Sequence, residues 1–139
     1  MKVSLRKTLK KDWNYILSLR NNDKFRENFN QQHIISKTEH FEYLIKQKLN
    51  PHFFNWIICY DMHDVGYIRI LDNDVSIMID EKFHNMDIGS KSLKVLEIEA
   101  KSLGITKLVG RVMDKNKSSK KIFQKNNYKL KMYWFEKEI

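Results

Sequence analysis

Apolar positions change period several times along the chain. Val3 and Leu5 alternate with polar neighbours, which predicts an edge strand over Val3 to Leu9. Lys11 to Asn22 carries Trp13, Ile16 and Leu17 at helical spacing, and Asp23 to Asn28 reads as a second short helical piece. Ser36-Lys37-Thr38-Glu39 is a capping box, in which the Ser oxygen and the Glu side chain satisfy unpaired N–H groups at a helix start. Phe41, Leu44, Ile45 and Leu49 follow at helical spacing, and Pro51 ends that helix. Phe53 to Tyr60 is apolar on both faces, the pattern of a central strand. Val65 to Leu71 and Val75 to Ile79 follow on short polar turns, Asp61 to Asp64 and Asp72-Asn73-Asp74, which makes an antiparallel meander. Val75, Ile77 and Ile79 share one face. Ser90 to Leu103 is the clearest helix: Leu93, Leu96, Ala100 and Leu103 form one stripe, and Gly104 suits its C-terminal cap. Lys107 to Val112 reads as a strand, Ser118 to Lys125 as a short helix and Tyr128 to Glu136 as a last strand.

The predicted order is β-α-α-β-β-β-α-β-α-β, an α+β pattern with a mixed, mostly antiparallel sheet flanked by helices. At 139 residues the chain is expected to form one domain over 1–139. With 42% hydrophobic and 31% charged residues it has the balance of a soluble globular protein. No apolar run approaches the roughly 20 residues that cross a bilayer, and the N-terminus lacks the apolar stretch of a signal peptide. The cytoplasm is therefore the expected compartment, and no membrane partner is expected. The one cysteine, Cys59, lies in an apolar run and cannot form an internal disulfide. The five histidines show no metal-ligand spacing, so no metal is expected. No Walker A loop, Rossmann fingerprint or nucleophile elbow is present. A net charge of +9 favours anionic partners, but the lysines are spread along the chain, and charge alone does not argue for nucleic acid.

Two segments hold the candidate chemistry. The first runs from Ile77 to Lys91, where the third meander strand feeds the clearest helix. A helix N-terminus offers unpaired N–H groups and the positive dipole end, and can seat a phosphate or pyrophosphate. Gly89 lets backbone approach a ligand, or else shapes the loop; Ser90 and Lys91 add a hydroxyl and a charge. The second runs from Val112 to Tyr128, where Asn116, Ser119 and Phe123 fall at spacings of three and four. Asn116 and Ser118 also suit a helix cap.

In this order and separation the two segments resemble the GNAT N-acetyltransferase superfamily. The family signature Arg/Gln-x-x-Gly-x-Gly/Ala maps to His84-Asn85-Met86-Asp87-Ile88-Gly89. The second, Asn-x-x-Ser/Ala-x-x-x-Tyr/Phe-x-x-x-Gly-Phe/Tyr, maps to Asn116, Ser119, Phe123, Asn127 and Tyr128. The resemblance implies the GNAT fold, a splayed sheet with acetyl-CoA in a V-shaped gap. Backbone groups of Ile77, Met78 and Ile79 then contact the pantetheine arm, Asn85, Met86, Asp87, Ile88, Gly89 and Ser90 hold the pyrophosphate, and Asn116 binds further along the cofactor. The departures are His84 for Arg or Gln, Asp87 for the first glycine and Asn127 for the glycine of the second motif. A carboxylate at Asp87 repels a pyrophosphate at short range, although Asp and Asn tolerate unusual backbone angles.

A looser resemblance covers Leu19 to Asn30, Ile35 and Glu39-His40, which look like GNAT enzymes that acylate amino groups of nucleotide-linked sugars in surface-glycan pathways of the pseudaminic acid type. It implies that Arg20, Asn21, Arg26, Asn30 and His40 line the acceptor side; Arg20 and Arg26 read equally as surface helix charges. Direct acetyl transfer needs a neutral amine, a positioned thioester and donors at the developing oxyanion. Asp74 and His40 are the candidate general bases, with Asp74 also readable as a turn residue. The common family acid is a Tyr where this chain has Phe123. The remaining alternatives are acetylation of a protein N-terminus or another small amine, and a non-catalytic module for anions or nucleic acid on a decayed GNAT scaffold. A homodimer is compatible with each.

Overall fold

A computed structural model describes residues 2–26 and 33–139. Its sheet has five strands in the order β1 (Val3–Lys7), β2 (Phe53–Tyr60), β3 (His63–Leu71), β4 (Asp74–Ile79) and β5 (Val109–Gly110). The first four are antiparallel neighbours, and β5 lies parallel to β4. The helices are α1 (Trp13–Arg20), α2 (Asp23–Arg26), α3 (Lys37–Gln47), α4 (Ile88–Ser102) and α5 (Lys117–Lys125). This is the α+β mixed sheet expected. The predicted helical piece over Asp23 to Asn28 is described only as far as Arg26.

The double-sided pattern of β2 has the expected cause: it pairs with strands on both edges and buries side chains on both faces. Trp56, Ile58 and Tyr60 join Ile68, Ile70, Val75, Leu93, Leu96 and Phe123 in a core beneath α4 and α5. Ile57 joins Trp13, Ile16, Leu19, Leu44, Tyr67 and Met78 beneath α1 and α3. Ile77 and Ile79 pack with Val75 on the α4 side, while Met78 faces the other way. Alternation along β4 thus ties both helix layers to one strand.

Local chemistry sets the boundaries. Ser36 Oγ accepts from the Glu39 N–H at 3.1 Å and starts α3. Asp72 and Asn73 both have positive φ, 48° and 70°, the two-residue turn whose twist suits a hairpin. Gly104, at φ 78°, ends α4 in a Schellman motif, with Ile105 N–H bonded to Ala100 O at 2.9 Å and Gly104 N–H to Lys101 O at 3.1 Å.

Three expectations need correction. The strand predicted over Lys107 to Val112 is regular only at Val109–Gly110. The last strand, over Tyr128 to Glu136, does not form: Tyr128 packs on the core, but Leu130, Met132, Tyr133, Trp134 and Phe135 are exposed, with no ladder partner among the described residues. Alternation and aromatic content favour a strand, but a strand also needs a paired edge. On α3, Ile45 is exposed and His40 takes the buried position beside Leu44, and Leu49, beyond the helix end, is exposed as well.

Candidate active site

The β4–β5 ladder contains only Asp74↔Val109 and Val75↔Gly110. Beyond it, Ser76 to Ile79 continue β4 with β3 on one side and no strand on the other, among the described residues. The β5-facing edge at Ile77 and Ile79 therefore has no strand partner among the described residues, and the Ile79 carbonyl on it accepts from His84 Nε2–H. Its closed end is packed: a Cβ on Gly110 would lie 2.6 Å from the Phe123 ring, which meets Tyr128 edge-on at 4.9 Å. Phe123 thus packs against β5 from the core side. Burial pushes the Tyr128 hydroxyl up to about 12, so it stays protonated at neutral pH.

The loop from Asp80 to Asp87 carries the chain from the open end of β4 to α4. Asn85 and Asp87 both adopt left-handed backbone, at φ 63° and 60°. Asp87 is the N-cap of α4, yet its carboxylate makes no cap hydrogen bond. Instead, Lys125 Nζ on α5 donates to its Oδ1 at 2.8 Å. That contact, with Lys91 and Lys94 nearby, holds the carboxyl below its ordinary range. The first ladder bond of α4 runs from Lys91 N–H to the Asp87 carbonyl at 3.2 Å. The N–H groups of Ile88, Gly89 and Ser90 precede it, as at any helix start. The Asp87 carboxylate, expected to repel a pyrophosphate here, is turned to Lys125.

Gly89 and Ser90 serve a neighbour rather than open space. Both are buried. A Cβ on Gly89 would lie 2.9 Å from Ile122 Cδ1, and Ser90 Oγ accepts from Asn126 Nδ2 at 2.9 Å. The side chains at the start of α4 therefore seat α5. Asn116 caps α5, its Oδ1 accepting from the Ser119 N–H at 3.2 Å. Met86 is exposed in the loop. The His84 Nε2–H donates to the Ile79 carbonyl at 2.9 Å. Lys125 and Asn126, absent from the sequence-based site, are brought to it by α5; their helical spacing from Ile122 was the available signal.

The acceptor-side candidates divide. Contacts from the α1–α2 region reach the loop after β4: Phe25 meets His84 edge-on at 6.0 Å, Asn22 Nδ2 reaches Glu81 Oε2 at 3.4 Å, and Lys24 pairs with Glu81. Arg20 and Arg26 flank these contacts in sequence. Burial, and then the like charge of Arg26, push the Arg20 guanidinium below its ordinary range. Asn21 bonds Ile35 through both backbone groups, at 2.8 Å each. Asn30 lies outside the described residues. His40 is buried, and its Nε2–H donates to the Trp13 carbonyl at 2.9 Å, so it ties α3 to α1. Asp74 sits at the paired end of β4, with Arg69 Nη1 at 3.3 Å and Arg111 Nη1 at 3.4 Å.

A family model for the acetyltransferase (GNAT) family matches residues 13–128. The chain belongs to the GNAT acetyltransferase family. Acetyl-CoA is therefore the co-substrate of this GNAT chain, and acyl transfer to an amine its reaction class. The fold is also that of solved structures. A domain from Methanocaldococcus jannaschii is 21% identical, with a TM-score of 0.81, over 92% of this chain and 88% of that one. An N-acetyltransferase from Staphylococcus aureus Mu50 is 22% identical, with a TM-score of 0.75, over 93% and 84%. A spermidine N-acetyltransferase from Vibrio cholerae, solved with CoA and spermine, is 15% identical, with a TM-score of 0.78, over 88% and 78%. No curated protein sequence matches the chain significantly. Among the described residues, no helix is long and apolar enough to cross a membrane, and no group of His, Cys, Asp and Glu could hold a metal ion.

The site of this GNAT chain fits the co-substrate on its own geometry. An extended arm needs unpaired backbone on a strand edge; Ile77 lies on such an edge, while the neighbouring Ile79 carbonyl already accepts from His84 Nε2–H. A diphosphate needs unpaired N–H groups and positive charge, and the start of α4 has both, with Lys91, Lys94 and Lys125 around it.

Proposed function

We propose that the chain acetylates the amino group of an acceptor that also carries anionic groups, with a nucleotide-linked amino sugar as the specific candidate. The reading rests first on the parting of β4 from β5 beside the start of α4. Ile77 to Ile79 would hold the pantetheine arm through backbone groups. The N–H groups of Ile88 to Ser90, with the surrounding lysines, would hold the diphosphate. Asn116, Ser119 and Phe123 would shape the gap rather than contact the reacting atoms. The bound thioester supplies the acyl group and a leaving thiolate.

The acceptor class rests on the basic character of the segment Arg20 to Arg26. Arg20, Lys24 and Arg26 place cationic side chains, Arg26 paired with Asp23, on a segment packed against the loop after β4, and that basic character favours a ligand carrying negative charge. A polycation such as spermidine, the substrate named for the Vibrio cholerae relative, is disfavoured there. His40 and Asp74 are engaged with structural partners, so positioning of amine and thioester supplies most of the acceleration in this reading.

Calorimetry with CoA followed by a thiol-release assay tests the proposal. Micromolar CoA binding, with turnover on nucleotide-linked amino sugars and little on spermidine or on a peptide N-terminus, is the expected result. Turnover on the peptide alone would move the chain to protein N-terminal acetylation. Absence of CoA binding would leave the non-catalytic reading.

A further inference from the structure

We propose that the Asp87 carboxylate is a built-in competitor for the diphosphate of CoA, and that it lowers the affinity of this site by engaging Lys125. The inference rests on the reading of the α4 start as the diphosphate seat. The backbone at Asp87 demands a residue that tolerates φ 60°, which Gly and Asn also do, so the turn does not require a carboxylate. The carboxylate does not cap α4 either. Its bonding partner is Lys125 Nζ, at 2.8 Å across the junction of α4 and α5.

That junction is rigid where it matters. Gly89 against Ile122 and Ser90 against Asn126 fix α5 beside the first turn of α4, which brings Lys125 to the helix start. Both partners of the ion pair are about half exposed, at 56% for Lys125 and 47% for Asp87. An exposed pair of this kind is weak and exchangeable. An arriving diphosphate offers Lys125 a more highly charged partner, but it must take the ammonium from a carboxylate that stays close by. The lysines acting on Asp87 are Lys125, Lys91 and Lys94, so the local balance is three positive charges against one negative. Removing the carboxylate raises the charge available to the ligand and frees one donor.

The experiment is calorimetric titration of CoA, and separately of pantetheine, into wild type, Asp87→Asn and Lys125→Met at low salt. Circular dichroism melting checks that each variant is folded. Asp87→Asn is expected to bind CoA about tenfold more tightly, which corresponds to about 1.4 kcal/mol. Its affinity for pantetheine, which has no diphosphate, should not change. Lys125→Met is expected to weaken CoA binding several-fold. Raised salt should shrink both differences, because the groups are exposed. Unchanged or weaker CoA affinity in Asp87→Asn overturns the competitor, as does an equal gain for pantetheine or full affinity in Lys125→Met. A wild type without CoA affinity overturns the diphosphate seat itself, and is distinguished by the wild-type titration alone.

Discussion

Replacing Gly66 with Ala tests how β4 is held. Gly66 lies on β3 opposite Ile79, and its φ is not in the left-handed region, so space rather than conformational freedom is at issue. A Cβ there would lie 2.4 Å from the Met78 carbonyl oxygen and 3.2 Å from Ile79 Cα. Close carbon–oxygen contacts between strands sit near 3.3 Å, so β3 and β4 must part locally by about 1 Å. The obstacle is backbone, which cannot rotate away. Overpacking costs about 1–3 kcal/mol, and a weakened ladder bond adds about 1 kcal/mol. A total of about 3 kcal/mol, against an unfolding entropy of about 2.1 cal/mol/K per residue, lowers Tm by about 10 °C for a chain of 139 residues. The displaced backbone is Met78–Ile79, so CoA affinity should fall as well. Thermal melting by circular dichroism and CoA titration read the two effects. A variant melting within about 2 °C of wild type refutes the steric argument. A destabilised variant with full CoA affinity refutes the role given to the β4 edge.

Two further outcomes follow from single contacts. Ser36→Ala removes the cap at the start of α3 and should cost about 1 kcal/mol in urea unfolding, with CoA binding intact; no loss in the unfolding midpoint refutes the cap. His40 is held neutral in the fold, with burial lowering its pKa from the ordinary 6.5. Below that value the unfolded chain binds the proton more readily, so stability falls as pH drops beneath about 6.5 and is flat above it. His40→Gln keeps an N–H for the Trp13 carbonyl and removes the titration, so the difference in Tm between pH 7.5 and pH 5.5 should shrink. An unchanged difference would assign the acid sensitivity to other groups.

Much of the fold was legible because local and tertiary signals agreed. β2 was readable as central from its two apolar faces, and α4 from Leu93, Leu96 and Ala100 followed by Gly104. The segment after Tyr128 shows the limit. Its alternation is a strand's, but whether an edge is available to pair with it is not written in the segment itself. The site was legible in outline, since the strand, the loop and the helix start lie in sequence order. What each side chain does there was less so. Asn116 and Ser90, placed at a ligand by motif, turn to Ser119 and Asn126. Lys125 carries no motif and reaches the site only because α5 docks on α4.

The glycines show why. In sequence each is a missing side chain, and the usual inference is a turn or a ligand. Only Gly104 is needed for its backbone angle. The other three mark close approaches: Gly66 to the Met78 carbonyl, Gly110 to the Phe123 ring and Gly89 to Ile122. All three lie where β3, β4, β5, α4 and α5 converge. Gly66 lets β3 sit close to β4, Gly110 lets Phe123 close the paired end of the gap, and Gly89 lets α5 lie against the start of α4. A splayed pair of strands stays open only if its other contacts are tight enough to stop it from collapsing. A methyl group added at Gly66, against backbone, or at Gly110, against the buried Phe123 ring, should disturb co-substrate binding without touching the ligand, whereas at Gly89 the flexible end of Ile122 can give way.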